Sequence, residues 1–165
     1  NCNTGRAEYL TEKDGDRQRL LDICRASSSL PYVSNVIDVD GQPYLDGGIV
    51  DSIPVGRAID MGYDRNVLVL TCNRGYRNTS KDRKIPKFIY KKYPRLRVAL
   101  SRRIAEYNHQ LDMVEEMEDK GLVDVIRPLR PMDVDRIVKD EKKLEALYEE
   151  GFQLGEEYCK LKIEG

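Results

Sequence analysis

The hydrophobic pattern of the first 65 residues predicts a helix, a hairpin and a second helix. The apolar residues of DRQRLLDICRAS recur at helical spacing, which predicts a helix over residues 16–26. Short apolar runs on both sides of Asp40-Gly41 predict two strands joined by a tight turn. In DSIPVGRAIDMG, Asp51 or Ser52 is the expected N-cap of the second helix, and Gly62 is its expected end.

Two further segments of this region are predicted strands. GRAEYL, residues 5–10, has the composition of a short strand that leaves a turn. NVLVLTC, residues 66–72, is a continuous run of apolar and β-branched residues, which is typical of a strand buried on both faces. Because this second run follows a predicted helix, it indicates half of a parallel α/β unit.

The pattern changes after residue 73. Residues 74–98 carry two prolines and little periodicity, so loops or short helices are expected there. From Leu96 to Met117 the apolar residues alternate steps of four and three, which predicts a long amphipathic helix that ends at Gly121. LVDVIRP is then a predicted strand, and DEKKLEALYEEGFQLGEEYCK is a predicted last helix. This order of elements is typical of the α/β class.

Length and composition limit the class of protein. A chain of 165 residues fits one domain or a substantial piece of a longer protein, and its start, without Met or an apolar signal core, favours a piece. No apolar stretch approaches the roughly 18 residues of a membrane span. The four cysteines form no C-x-x-C pair, which disfavours a zinc site and a disulfide framework. A cytoplasmic location with reduced thiols is therefore expected.

The net charge of −1 conceals a strongly basic middle segment. Residues 74–103 contain 12 basic side chains and one acidic side chain, Asp82, so this segment alone carries a charge of +11. Three interpretations stay open. The segment is a solvated face, a nucleic-acid interface whose interleaved aromatic residues stack on bases, or a surface that docks on anionic lipid.

The stretch YLDGGIVDSIP, residues 44–54, contains the candidate catalytic side chain. Asp46 follows a predicted strand, and the ligands of open α/β sheets bind at strand ends. The two glycines that follow allow another backbone or a substrate to approach closely. Most such triplets are simple turns, so the motif alone leaves both a turn and a catalytic carboxylate open.

The wider sequence resembles the patatin-like phospholipase family. The ordered motifs are A-S-S-x-x-P at residues 26–31, an aromatic residue before L-D-G-G, D-x-I-P-V at residues 51–55 and an apolar strand. NTGRAEYL resembles the preceding segment of bacterial members, and residues 81–160 are similar to the C-terminal extension of one bacterial branch. The resemblance therefore implies the C-terminal part of a bacterial family member.

This resemblance implies an architecture and three regions. The expected fold is the C-terminal portion of a patatin-like three-layer α/β/α sandwich, plus a mainly helical C-terminal region. Residues 1–73 are the expected part of the hydrolase domain. Residues 74–98 are a basic connecting segment, and residues 99–165 are a helical region with one strand.

The resemblance also implies a chemistry. Members of the family hydrolyse lipid acyl esters with a serine from G-x-S-x-G and an aspartate from D-G-G, a Ser-Asp dyad without histidine. Asp46 is the implied general base, and Gly47 and Gly48 complete the motif. None of the seven serines lies in G-x-S-x-G. The nucleophile is therefore expected outside this chain, and the fragment alone is expected to be inactive. No metal or organic cofactor is implied.

The remaining candidate side chains and the partners each have an expected role. His109 is interpreted as a surface histidine, Asp51 as a helix cap, and Ser27, Ser28 and Ser29 as caps and turn formers. A lipid ester is the expected substrate, with an anionic membrane surface as partner of residues 74–103 and nucleic acid ranked below it. The alternatives are a non-catalytic lipid- or protein-binding patatin relative and a nucleic-acid-binding α/β domain.

Overall fold

The computed structural model describes residues 1–12, 15–81, 84–132 and 140–162. These residues form four helices: α1 Arg17–Ser27, α2 Val55–Asp60, α3 Pro94–Asp119 and α4 Glu141–Lys162. They also form four short strands: β1 Ile37–Val39, β2 Gln42–Tyr44, β3 Val67–Val69 and β4 Asp124–Ile126. The mixed α/β class that the sequence predicted is confirmed. None of the described helices combines the length and apolar character that crossing a bilayer requires.

The chain divides into two compact units. Unit 1 contains Asn1–Pro54 and Asn78–Gln110, and unit 2 contains Val55–Arg77 and Leu111–Gly165. Residues 74–81 and 84–93 contain turns and irregular backbone, as the pattern predicted, whereas Asp82 lies outside the described residues.

The predicted helix and hairpin of unit 1 are confirmed. Asp16 is the N-cap of α1, and its side chain accepts a hydrogen bond from the Arg19 N–H at 3.0 Å. β1 and β2 pair antiparallel, and the two residues between them, Asp40 and Gly41, have φ of 54° and 75°. Positive φ at both central positions matches the twist of the flanking strands.

The strand predicted at residues 5–10 is wrong, because these residues are turn and irregular backbone. This segment is joined to the rest of unit 1 by side-chain hydrogen bonds. Glu8 accepts a hydrogen bond from the Tyr44 hydroxyl, and the Tyr9 hydroxyl donates to Asp51. The segment thus contributes to unit 1 through side chains that alternation of apolar residues does not reveal.

Two apolar clusters fix the segment around Asp46. The first contains the buried residues Ala26, Val39 and Tyr44, and the second contains Cys2, Leu45, Ile49, Leu96 and Leu100. Tyr44 and Leu45 on one side of Asp46, and Ile49 on the other, are therefore held in the core. Burial of these neighbours fixes the backbone of the corner while the Asp46 side chain remains half-buried.

In unit 2, β3 and β4 pair in parallel, as the predicted α/β unit requires. The expected burial of β3 on both faces is wrong. Leu68 is buried, but Val67 and Val69 are 47% and 74% exposed. Among the described residues β3 pairs only with β4, so the outward-facing valines have no covering layer.

The long helix α3 agrees with the predicted boundaries, and Gly121 follows its end with φ of 67°. Leu111 and Val114 of unit 2 are buried, at 2% and 1% exposure. His109, in unit 1, is exposed as predicted. α4 buries no described residue, and it contacts β4 through the Tyr158 hydroxyl, which donates to Asp124 at 3.0 Å.

Candidate active site

Asp46 lies at a sharp corner between β2 and a 3₁₀ turn formed by Gly47–Ile49. Its backbone N–H donates to the Ser29 carbonyl at 3.0 Å, and its Oδ1 accepts from the Gly48 N–H at 2.7 Å. No described residue forms a hydrogen bond with Oδ2. The corner thus orients the carboxylate through one oxygen and leaves the other available to a further group.

Each glycine of the motif has a different surrounding. A Cβ placed on residue 48 would lie 3.0 Å from Asp46 Oδ1, so a side chain there would push the carboxylate away from the Gly48 N–H. A Cβ on residue 47 would meet no atom within 4 Å. The second glycine therefore makes room for the carboxylate, whereas the first leaves the approach to the corner open.

The corner borders a cavity of about 290 Å³ within unit 1. This volume lies near the lower end of the range for small-molecule sites. The lining combines polar groups beside Asp46 with a larger apolar surface. Its polar members are Asn1, Glu8, Tyr9, Ser27, Tyr44, Asp46 and Asp51, and its apolar members include Leu10, Ile23, Ala26, Leu45, Val50 and Pro54. Such a lining suits a ligand with one polar and one apolar part.

Asp51 is not the cap that the sequence predicted. α2 begins at Val55, so Asp51 and Ser52 lie too far before it to serve as its N-cap. Asp51 Oδ1 instead accepts from Gln110 Nε2 at 3.0 Å, and Oδ2 accepts from the Tyr9 hydroxyl. Both carboxylate oxygens of Asp51 therefore have a partner, whereas Asp46 has a described partner for Oδ1 alone.

Two side chains from α3 hold the corner in place. Gln110 is buried, and its Oε1 accepts from the backbone N–H groups of Ser52 and Ile53 at 3.0 and 3.2 Å. Arg103 Nε donates at 3.0 Å to the carbonyl of Gly48, which also accepts from the Ser52 hydroxyl. These bonds join the residues after Asp46 to a long helix, which restricts their movement.

Sequence reasoning did not identify Gln110 or Arg103. One signal for Gln110 was available, since it lies three residues after Tyr107 and four before Val114, on the apolar face of the predicted helix. A polar amide within an apolar stripe indicates a buried hydrogen-bond partner. No comparable signal distinguishes Arg103 among the many cations of its segment.

A second carboxylate of the cavity is occupied by a tyrosine. Glu8 accepts a hydrogen bond from the Tyr44 hydroxyl. Burial, followed by this hydrogen bond, raises the pKa of Tyr44 above its usual value. Tyr44 therefore remains protonated, and Glu8 serves as its acceptor.

The serines near the corner have the local roles that were predicted for two of them. The Ser28 hydroxyl donates to the Cys24 carbonyl at 2.9 Å, and the Ser29 hydroxyl donates to the Arg25 carbonyl at 2.7 Å. Ser27 is exposed and lines the cavity. The described residues contain no group of three or more His, Cys, Asp or Glu side chains placed to hold a metal ion.

Comparison with known families assigns the segment that contains the corner. Residues 3–59 match the family model described as patatin-like phospholipase. Residues 3–59 are a patatin-like segment. The resemblance inferred from the motifs is confirmed for these residues, which form the first third of this chain and include Asp46, Gly47 and Gly48.

Two further comparisons concern the rest of the chain and a curated relative. Residues 93–161 match a domain of unknown function, DUF6363, which begins near α3 and contains Arg103 and Gln110. The uncharacterized protein YjjU of Escherichia coli K12 is 41% identical over 56 residues, 33% of this chain and 16% of the relative. The aligned part is thus a small fraction of that protein's length. No solved structure matches the chain.

Proposed function

We propose that the protein containing this chain hydrolyses acyl esters of lipids, as a phospholipase or lysophospholipase, with Asp46 as the general base. One observation carries the proposal. Within the patatin-like segment, the aspartate of D-G-G lies on the wall of an open, largely apolar cavity with one carboxylate oxygen fixed and the other without a described partner. A buried or fully occupied carboxylate would not suit this role.

The proposed reaction uses a serine that lies outside this chain. Its oxygen bonds to the ester carbonyl carbon while its proton passes to Asp46. The leaving alcohol takes this proton as the ester C–O bond breaks, which leaves an acyl-serine. Water then attacks the acyl group, loses its proton to Asp46, and the acid departs as the serine is protonated again. No metal or organic cofactor is needed in these steps.

The larger architecture belongs to the same proposal. The three-layer sandwich, the hydrolase part over residues 1–73, the basic connection over residues 74–98 and the helical region over residues 99–165 fit a chain that completes a longer enzyme. We place this enzyme in the cytoplasm, at a membrane surface. A non-catalytic patatin relative is the alternative, and the absence of G-x-S-x-G from the complete protein would favour it.

Not all basic side chains of residues 74–103 are available to bind a membrane surface. Arg74 pairs with Glu118 and Asp119, and Arg77 pairs with Asp112 and Glu115. These two cations are therefore engaged within unit 2. The lysines from residue 81 onward remain the candidates for lipid headgroups, and nucleic acid stays below lipid because the patatin-like segment implies a lipid substrate.

The proposal is tested by replacing the base in the complete protein. We expect Asp46→Asn to lower hydrolysis of a soluble p-nitrophenyl ester and of a phospholipid by about 100-fold or more, because the amide accepts no proton. Asp38→Asn is the matched control. Asp38 also accepts a backbone N–H in a turn, from Gly41 at 3.0 Å, but it does not line the cavity.

Two results would reject the assignment. Activity of Asp46→Asn within a few-fold of the unaltered protein would remove Asp46 as base. Hydrolysis by the purified 165-residue chain above the uncatalysed rate would show that the nucleophile lies within it. Ser27 would then be the first serine to replace, since it lines the same cavity.

A further inference from the structure

Two loops of unit 1 present large apolar side chains to solvent. The first follows α1 and contains Tyr32 and Val33, which are 57% and 82% exposed. The second precedes α3 and contains Phe88, which is 80% exposed. Single exposed apolar residues are common, but a group of them on adjoining loops indicates an interaction surface.

A pair of tyrosines holds the two loops together. The Tyr32 N–H donates to the Tyr90 hydroxyl at 2.8 Å, and the two rings lie 5.8 Å apart. Both residues have positive φ, 69° and 49°, a conformation that side-chain-bearing residues seldom adopt. The contact therefore fixes both loops in a conformation that neither sequence favours by itself.

The second loop is anchored on both sides of Phe88. Ile85, Tyr90 and Tyr93 pack against the apolar cluster that contains Leu96 and Leu100. Their neighbour Phe88 does not belong to this cluster and is exposed, although its side chain is also apolar. Phe88 is thus exposed between Ile85 and Tyr90, both of which pack against the core.

The charge around these side chains has one sign. Lys84, Lys87, Lys91 and Lys92 are exposed on the second loop. Neither residues 28–36 nor residues 84–93 contain an Asp or a Glu. Apolar side chains surrounded by lysines suit the boundary of an anionic bilayer, where the lysines contact headgroups and the apolar groups enter the acyl region.

We propose that Tyr32, Val33 and Phe88, with Lys87, Lys91 and Lys92, form a docking site for an anionic lipid bilayer. We call this set the lipid-docking patch. Its biological role rests on the proposed function, because a lipid hydrolase must meet its substrate at a membrane. The first loop leaves Ser29, whose carbonyl accepts the Asp46 N–H at 3.0 Å, so it begins at the candidate active site.

The composition of the patch favours lipid over nucleic acid. Val33 is its most exposed apolar residue and has no ring on which a base stacks. The cations of the patch are three lysines, and the guanidinium of Arg103, which lies within electrostatic reach of Tyr32, donates to the Gly48 carbonyl. Transfer of the Val33 side chain from water to an apolar phase is favourable, whereas contact with a nucleic acid would leave it without a stacking partner.

The test measures sedimentation of the purified 165-residue chain with vesicles of phosphatidylcholine alone or with one-third phosphatidylserine, at low salt. We expect binding to the anionic vesicles, weakened by added salt. The double variant Val33→Ser, Phe88→Ser should lower the partition coefficient about tenfold or more. Replacement of Lys87, Lys91 and Lys92 by Gln should lower it by a similar factor.

Two control variants lie in unit 2. Leu129→Ser removes an apolar side chain that is 79% exposed, and the triple variant Lys120→Gln, Lys142→Gln, Lys160→Gln removes the same charge as the lysine variant of the patch. Both should bind vesicles like the unaltered chain. Circular dichroism of all variants checks that they are folded.

Three outcomes would overturn the proposal. The unaltered chain does not bind anionic vesicles, or the patch and control variants lose vesicle binding equally. In the third, the unaltered chain binds RNA but not vesicles, and the patch variants lose the RNA binding. Failure of the proposed function gives a different result. If Asp46 is not the base, the Asp46→Asn variant still hydrolyses the soluble ester, while vesicle binding still depends on the patch. If only the patch is wrong, ester hydrolysis still requires Asp46.

Discussion

At the scale of single residues, Gln110 makes three of the hydrogen bonds that hold the segment after Asp46. One amide group satisfies two backbone N–H donors and one carboxylate oxygen, all within residues 51–53. Because Gln110 is buried, its removal would leave these groups without a partner and with little access to water. The D-x-I-P-V motif that follows Asp46 is thus fixed by a residue outside the patatin-like segment.

We therefore expect Gln110→Ala to lower the free energy of unfolding by about 1–3 kcal/mol. It should also reduce hydrogen-exchange protection selectively at the Ser52 and Ile53 amides. Gln153→Ala is the control, since Gln153 is exposed and its side chain bonds, among the described residues, to Glu149 on the same helix, so its change should stay within about 0.5 kcal/mol. Unchanged protection at Ser52 and Ile53 would show that the helix does not hold this segment.

The contrast between Asp46 and Asp51 shows what single residues reveal before a structure is known. The motif identified Asp46 as the candidate base, and its chemistry still awaits a test. Asp51 was misassigned because capping preferences describe only neighbours in sequence, whereas its partners, Tyr9 and Gln110, are 42 and 59 residues away. Long-range side-chain contacts of this kind leave no local pattern.

At the scale of elements, helical periodicity was the most informative signal. α1, α3 and the hairpin follow their predictions because each depends on local rules: a cap, an apolar stripe and a two-residue turn. The burial of β3 was not predictable in the same way. An apolar run indicates a strand that prefers burial, but its exposure depends on which elements lie beside it.

The apolar stripe of α3 yields a prediction for this element. Leu111 is 2% exposed, so Leu111→Ala should lower the free energy of unfolding by about 2–5 kcal/mol through lost burial and a cavity. Val98→Ala on the same helix is the control, because Val98 is 50% exposed and its replacement should change stability by about 0.5 kcal/mol or less. A urea titration measures both, and equal midpoints would contradict core packing of Leu111.

At the scale of the whole molecule, the uneven charge distribution along the sequence is partly balanced by ion pairs. The basic segment begins with Arg74 and Arg77, and four acidic residues of α3 bind them: Asp112, Glu115, Glu118 and Asp119. Counting charges predicted an excess of +11 but not which cations are paired. These pairs engage two of the twelve cations, and three of the other ten, Lys87, Lys91 and Lys92, belong to the lipid-docking patch.

These pairs make stability depend on pH. The Arg77 guanidinium, with a bond from the Gly75 N–H, lowers the pKa of Glu115 from 4.5 to about 2. Because the folded pKa lies below the unfolded one, the stabilisation is complete above about pH 4.5 and is lost as pH falls towards 2. Arg77 stays charged throughout, since the same pair raises its pKa.

We expect Glu115→Gln to lower the free energy of unfolding by about 1–3 kcal/mol at pH 7. The difference from the unaltered chain should shrink steadily as the pH falls from about 4.5 towards 2, because the Glu115 carboxylate takes up its proton as the pH approaches its folded pKa of about 2. Glu145→Gln makes the same chemical change at an exposed position of α4 and should give no such trend. Urea titrations at several pH values measure this difference in the free energy of unfolding. A difference that stays constant down to pH 2 would show that the Glu115 charge does not stabilise the fold.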